Sequence, residues 1–297
     1  MDILVNGEAL AFEEKPGSSL GEVLAAVDDL VEGSGSIIVG IKVDGAELEA
    51  AGYAEAAARP AAEVASVELA VEAAREVRLR TIGTLLELLG LVARAAAEPA
   101  ASAEDWRSLR EGAADLRDAF GGLFSADELA FVQRLASALE AAGDSPGASA
   151  RAAVAAEAAR ASSVFGERNA ELVDPVAEMR AAALLFESRA QELADLPVLL
   201  QTGKEELAMK SVLYFVEVFN KVIRVIPELR QAGIDSAAIR VGDQALPEFY
   251  GAFNGVLKEL TGAFENKDAV LIGDLAEYEI LPRMRSFFSA MEEALPK

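Results

Sequence analysis

Apolar residues alternate with a period of about two only in the first 72 residues of this chain, and from about Arg78 onward they recur with the helical period of about 3.6. A strand sends alternate side chains to opposite faces, whereas a helix gathers i, i+3 and i+4 on one. Two patterns in separate blocks therefore predict two unlike parts, a small sheet-containing domain over 1–74 and an all-helical domain over 75–297, making the whole α+β.

Within the first block the expected order is strand, strand, helix, strand, strand. Ile3 and Val5 lead to Asn6-Gly7, a strong hairpin signal, and Leu10 and Phe12 alternate on the return. Pro16-Gly17 ends that hairpin. Ser19 followed by Glu22 makes a capping box for a helix carrying Leu20, Val23, Leu24, Val27, Leu30 and Val31, which should stop at Gly33-Ser34-Gly35. The β-branched run Ile37 to Val43, closed by Asp44-Gly45, and the run Val64 to Val71 supply the remaining strands. Four strands and one helix are predicted.

This order, with the opening MDILVNGEALAFEEKPGSSLGEVL and the later GIKVDGAEL, resembles the small sulfur-carrier proteins of the ThiS/MoaD type in the β-grasp (ubiquitin-like) superfamily. Those carriers end in a diglycine whose carboxylate is activated. Here the matching strand runs through Val67-Glu68-Leu69-Ala70-Val71 into Glu72-Ala73-Ala74-Arg75, without a diglycine. The resemblance thus implies the fold, which in many proteins serves as a docking module, and not the carrier chemistry.

Behind it, Leu79, Ile82, Leu85, Leu86, Leu89 and Val92 mark one helix, and Trp106, Leu109, Leu116 and Phe120 a second, stopped by Gly121-Gly122. Ser125 and Glu128 cap a third, with Phe131, Leu135 and Leu139, that ends at the linker 143–147. An Ala-rich stretch follows, and Asp174-Pro175 begins another helix. The longest apolar helix is expected over 204–230, then two more over about 247–265 and 268–295. A helical bundle is predicted, with two sub-bundles divided near 143–149 as one arrangement.

Chemistry is bounded by what the chain lacks. It contains no Cys and no His, which removes disulfides, thiolate and imidazole metal ligands, and every Ser-His or Cys-His arrangement. No cofactor is expected. The formal net charge of −23 divides into −12 over residues 1–74 and −11 over the rest, which disfavours nucleic acid as a partner. No apolar run reaches the ~20 residues of a membrane span, and the acidic opening (Glu8, Glu13, Glu14) lacks a signal peptide's basic start. A cytoplasmic protein without a membrane partner is expected.

Four local features qualify as candidate sites. Thr202-Gly203-Lys204 superficially resembles a phosphate loop, but Val198 and Glu205 stand where the motif needs glycine and Ser or Thr. Asp274, Glu277 and Glu279 form a carboxylate cluster followed by Pro282, expected to kink the helix. Arg75, Arg78 and Arg80 sit directly after the acidic block and are expected to face its acids at the domain junction. On the last two helices, Phe249, Phe253, Val256, Leu260 and Phe264 complete one face. Leu271, Leu275, Tyr278, Leu281, Met284, Phe288, Met291 and Leu295 complete another, which leaves Tyr250, Ile280 and Phe287 as candidate partner anchors.

The expected function is therefore a non-enzymatic protein-binding adaptor that holds a partner helix or an export substrate on its helical surface. Two alternatives remain open: a carboxylate-based enzyme or metal-binding bundle, and a structural homo-oligomer.

Overall fold

The computed structural model describes residues 1–13, 15–119 and 123–296; Phe120 and the Gly121-Gly122 stop lie outside the described residues. The chain forms two compact units, Met1–Gly166 and Glu167–Lys297. The division falls inside one long helix, and the linker 143–149 lies within the first unit.

The first unit opens with β1 (Asp2–Val5), β2 (Glu8–Ala9), α1 (Leu20–Gly33), β3 (Ser36–Val43), β4 (Ala46–Glu47), the short α2 (Tyr53–Ala57) and β5 (Ser66–Ala73). These give a five-stranded sheet in the order β2-β1-β5-β3-β4, with β1 and β5 parallel and the other pairs antiparallel, which is a β-grasp sheet. The count is one more than predicted. Asp44-Gly45 does not simply end β3 but turns it back into β4, only two residues long and too short to alternate visibly.

Both hairpins turn on residues with positive φ, Asn6 (50°) with Gly7 (86°) and Asp44 (52°) with Gly45 (81°), the combination that matches the right-handed twist of the flanking strands. Each turn also grips the central strand. The Asp44 carboxylate accepts from the N–H groups of Ala65 (2.7 Å) and Ser66 (3.1 Å) beside the start of β5, while the Asn6 side chain meets Val71 near its far end. The capping box predicted at Ser19 and Glu22 is present, and α1 lays Leu20, Val23, Leu24 and Val27 on Ile3, Val43, Val67 and Leu69 of the sheet.

β5 runs without a loop into α3 (Ala74–Ala97), followed by α4 (Ala103–Ala119), α5 (Ala126–Ala142) and α6 (Ala148–Val173). Ile82, Leu85, Leu89 and Val92 of α3 are buried as their spacing requires, with Trp106 of α4 and Leu135 and Leu139 of α5. On α5, Val132 takes the buried position expected of Phe131, which is half-buried with Arg134 over its ring.

The second unit contains α7 (Pro175–Ala194), α8 (Leu196–Gln201), α9 (Glu205–Glu228), a two-stranded hairpin of β6 (Arg240–Val241) and β7 (Gln244–Ala245), α10 (Leu246–Glu265), α11 (Ala269–Asp274), a π-helical segment over Leu275–Ile280 and α12 (Leu281–Ala294). The hairpin corrects the expectation of helix alone after Arg78; its strands of two residues give no period to read. Asp174 caps α7 through the N–H of Ala177, as Asp-Pro predicts. Phe186, Phe215, Phe219, Phe249, Phe253, Phe287 and Phe288 share one core. Where α8 and α11 cross, a Cβ on Gly273 would lie 2.4 Å from the Pro197 ring, so only glycine permits the approach.

The predicted face of the final helix is buried at Leu275, Leu281, Met284, Phe288, Met291 and Leu295, with departures at and before a π segment. Pro282 has no N–H to continue the preceding turn and sits at the second position of α12, directly after a stretch whose hydrogen bonds span five residues instead of four. Tyr278, expected inside, is 65% exposed and Leu271 is also exposed, whereas Ile280 and Phe287, expected to be left over, are buried at 5% and 0%.

Candidate functional site: an apolar groove between two helices

α9 is apolar on more than one face. Val218, Val222 and Val225 are buried in the core, and α9 packs along α7. A second row, Met209, Leu213, Val216 and Ile223, points away from that core and is exposed. Against this side stands α10, which approaches through ring contacts of Phe219 with Phe253 (4.8 Å) and Tyr250 (6.4 Å).

Between the two helices runs a groove of about 160 Å³. Its α9 wall is Val212, Val216, Asn220 and Ile223, and its α10 wall is Asn254, Leu257 and Leu260. Phe215, Phe219 and Phe253 line it from the core side, and Ile280 of the π segment and Met284 of α12 contribute as well. Two amides, Asn220 and Asn254, are the polar groups of this lining. The volume lies below the ~300–1,000 Å³ of a small-molecule pocket. An elongated apolar slot of this kind can receive side chains from a bound segment.

The candidate anchors fall differently from expectation. Phe287 stacks on Phe249 at 5.7 Å and 17° inside the core, which excludes it as a free anchor. Ile280 is buried too, and meets the groove only as part of its lining. Tyr250 is half-buried; its hydroxyl is buried without a hydrogen-bond partner, and burial pushes its pKa well above the ordinary tyrosine range. Ile280 and Phe287 are taken into the core of this unit, and the ring cluster around Phe219 accounts for Tyr250. Sequence reasoning missed the α9 wall. Its signal was present in Val212, Val216 and Ile223, apolar positions that one core face does not require.

The carboxylates do not converge. Asp274 and Glu277 are exposed, and Glu279 pairs with Arg283 on its own helical face at 2.7 Å. Among the described residues no group of three or more Asp or Glu could hold a metal. Thr202 and Gly203 form the turn between α8 and α9, where the Thr202 hydroxyl donates to the Val198 carbonyl.

Of the three arginines, Arg80 meets an acid of the sheet, Glu72 of β5, at 2.9 Å. Arg75 pairs with its neighbour Glu76, and Arg78 lies over the Phe124 ring at 5.5 Å. Helical spacing sets Arg80 apart, since it lies two residues from Arg78 and five from Arg75 and so falls on another side of α3.

A buried ionic network lies at the other side of α9. Lys221 binds Glu178 at 2.5 Å and Glu167 at 3.1 Å, while Arg224 binds Glu171 at 2.9 Å and Arg168 binds the same Glu171 at 3.1 Å. Burial alone would lower the Lys221 pKa; hydrogen bonds to Glu178 and Glu167 outweigh it and leave the ammonium above its ordinary value. Three cations and three carboxylates balance, which suits a fastening between α6, α7 and α9.

Among the described residues no helix is long and apolar enough to cross a membrane. Residues 1–72 match the family model of the TP0873 N-terminal domain, almost the span of the sheet domain. Residues 179–289, which include both walls of the groove, match a domain of unknown function, DUF8042. No curated protein and no solved structure matches the chain.

Proposed function

We propose that the chain is a non-enzymatic, cytoplasmic binding protein that holds a helical segment of another protein in the groove between α9 and α10. The observation that carries this reading is the exposed apolar row Met209, Leu213, Val216 and Ile223, of which Val216 and Ile223 line a slot of about 160 Å³. Apolar surface facing water costs about 25 cal/mol per Å², so a continuous row of it is best understood as one half of an interface. The N-terminal domain, whose sequence resembles sulfur carriers of the ThiS/MoaD type and whose β-grasp fold serves in many proteins as a docking module, would supply a second contact.

Site-specific photo-crosslinking in the native cell tests it. A photoreactive residue at Ile223, exposed in the groove wall, should capture a defined set of helical segments. The same residue at Leu184, which is 73% exposed and lies off the groove, should not. Equal capture at both positions, or none at Ile223, rejects the reading.

A further inference from the structure

We infer that the open edge of β3 takes an extended, basic segment of another protein as a further strand of the five-stranded sheet. This gives the second contact proposed above a surface and a chemistry, and it depends on nothing in the α9–α10 groove. β3 pairs with β5 along its length, but with β4 only at Lys42 and Val43, extended by one bond from the Leu48 N–H to the Ile41 carbonyl. Among the described residues, 36–40 therefore have a strand on one side and none on the other. Such an edge presents alternate N–H and C=O groups outward, and another extended backbone answers them in register.

Natural sheets blunt their edges with charge, proline or a bulge. The run Ser36-Ile37-Ile38-Val39-Gly40-Ile41 has neither charge nor proline. It does have a bulge: Ile38 faces Val71 and Gly40 faces Ala70, so Val39 is an extra residue, and it is exposed. A bulge bends the strand, which limits an added partner to a few residues. Between this edge and α1 lies an open hollow lined by Leu24 and Asp28 of α1, Ile38 and Ile41 of β3, Leu48, and Tyr53 of α2. Side chains of an added strand point alternately to the two faces of the sheet, so apolar residues at i and i+2 of the occupant meet this hollow.

Charge sets the sign of the partner. α1 carries four acids, Glu22, Asp28, Asp29 and Glu32, and α2 carries Glu55; the three elements around the hollow hold one base, Lys42 of β3. Lys42 stands in register between Glu47 and Glu68. It alternates with Ile41 and Val43, which pack on the α1 side, so it faces away from the hollow. Asp28 is the charged residue of the lining. Glu32 follows it by one turn, a like-charge pair, and lies in the last turn of α1, where the negative end of the helix dipole opposes it. Neither placement stabilises the helix, and a cation beside them relieves both. A second copy is disfavoured on the same count, since edge-to-edge pairing sets two domains of −12 side by side.

The test uses the full chain and three fluorescent peptides of about eight residues, the length of a strand. The first alternates Val and Ile with Thr and carries Lys at both ends. The second replaces Lys by Glu. The third keeps the first sequence but is N-methylated at its central backbone amides, which removes strand donors without altering charge or side chains. Anisotropy titrations should show the first bound at least about tenfold more tightly than either of the others, with affinity falling as salt rises. Its binding should slow amide hydrogen exchange at residues 36–40. The variant Asp28→Lys with Glu32→Lys, at positions outside the core and checked by its melting curve, should reverse the preference between the first two peptides.

Equal binding of the N-methylated peptide removes strand addition and overturns the inference. Equal binding of the Glu peptide to the native chain, or an unchanged preference in the variant, removes the basic partner and overturns it too. So does the absence of any binding, or protection that appears elsewhere than 36–40. Light scattering that shows a dimer with 36–40 already protected assigns the edge to a second copy instead. None of these results touches the groove reading, which crosslinking at Ile223 tests separately.

Discussion

The side-chain amide of Asn6 pairs with the backbone of Val71 as one more rung of the sheet, accepting from its N–H and donating to its carbonyl, each at 2.9 Å. Asn6→Gly keeps the positive φ and loses both bonds, which should cost about 1–2 kcal/mol. Asn6→Ala should cost more, because alanine resists that backbone region by a further ~1 kcal/mol. Denaturant unfolding of the two variants checks the order; equal losses would show that the turn conformation contributes nothing.

At the opposite end of β5, the N–H groups of Ser66 and Ala65, helped by Arg59, hold the Asp44 carboxyl below its ordinary pKa. A depressed carboxyl stabilises the fold fully above its unfolded value, near ~3.9, and loses that contribution as pH falls through the folded value. The difference in stability between the native chain and Asp44→Asn should therefore shrink on acidification below about pH 4. A difference that stays constant from neutral to strongly acid pH would show that the Asp44 charge does not hold the turn to β5.

Lys221→Met leaves Glu178 and Glu167 without their buried cation and should destabilise the second unit by about 3–5 kcal/mol. Adding Glu178→Gln should recover part of the loss. Because the Lys221 pKa is raised, its contribution is complete below its unfolded value of about 10.4 and disappears as pH rises through the folded one. The native chain should thus lose more stability than the double variant under strongly alkaline conditions, as measured by urea unfolding.

Phe287→Ala should cost about 3–5 kcal/mol, the range for emptying a core ring site, since Phe287 is wholly buried between Phe249 and Phe288. Leu184→Ser, at an exposed position, should stay within about 0.5 kcal/mol. Thermal melts distinguish the two directly.

Gly273→Ala places a methyl group 2.4 Å from the Pro197 ring and should destabilise by about 1–3 kcal/mol through overpacking. Pro197→Ala in the same chain removes the obstacle and should restore much of the loss. A Gly273→Ala variant as stable as the native chain would mean that α8 and α11 can part freely.

The fold was legible wherever local chemistry dictates it. Asn6-Gly7, Ser19 with Glu22, Ser125 with Glu128, and Asp174-Pro175 each act within four residues, and the turn or caps they predict are present. Elements of two residues, such as β4 and β6, carry no period and escaped. The groove was half visible: α10 was singled out, but the α9 wall depends on which of two apolar rows the core takes, a choice made by α7 and not by α9 itself. On the last helix the expected face held at Leu281, Met284, Phe288, Met291 and Leu295, while Tyr278, inside the irregular stretch, turned outward and Phe287 joined the core beside Phe288.

That irregular stretch also marks where the chain tolerates a change of length. A π turn is an α-helix with one residue inserted, so removing exposed Glu277 or Tyr278 would return Leu275–Ile280 to α geometry while Leu281, Met284, Phe287 and Met291 kept their faces. Removing a residue from the regular α12 would instead swing everything beyond it by about 100° and empty the core of its rings. Length variants of this domain should therefore accumulate at 275–280, and those that reshape Ile280 would alter the lining of the groove without disturbing the walls.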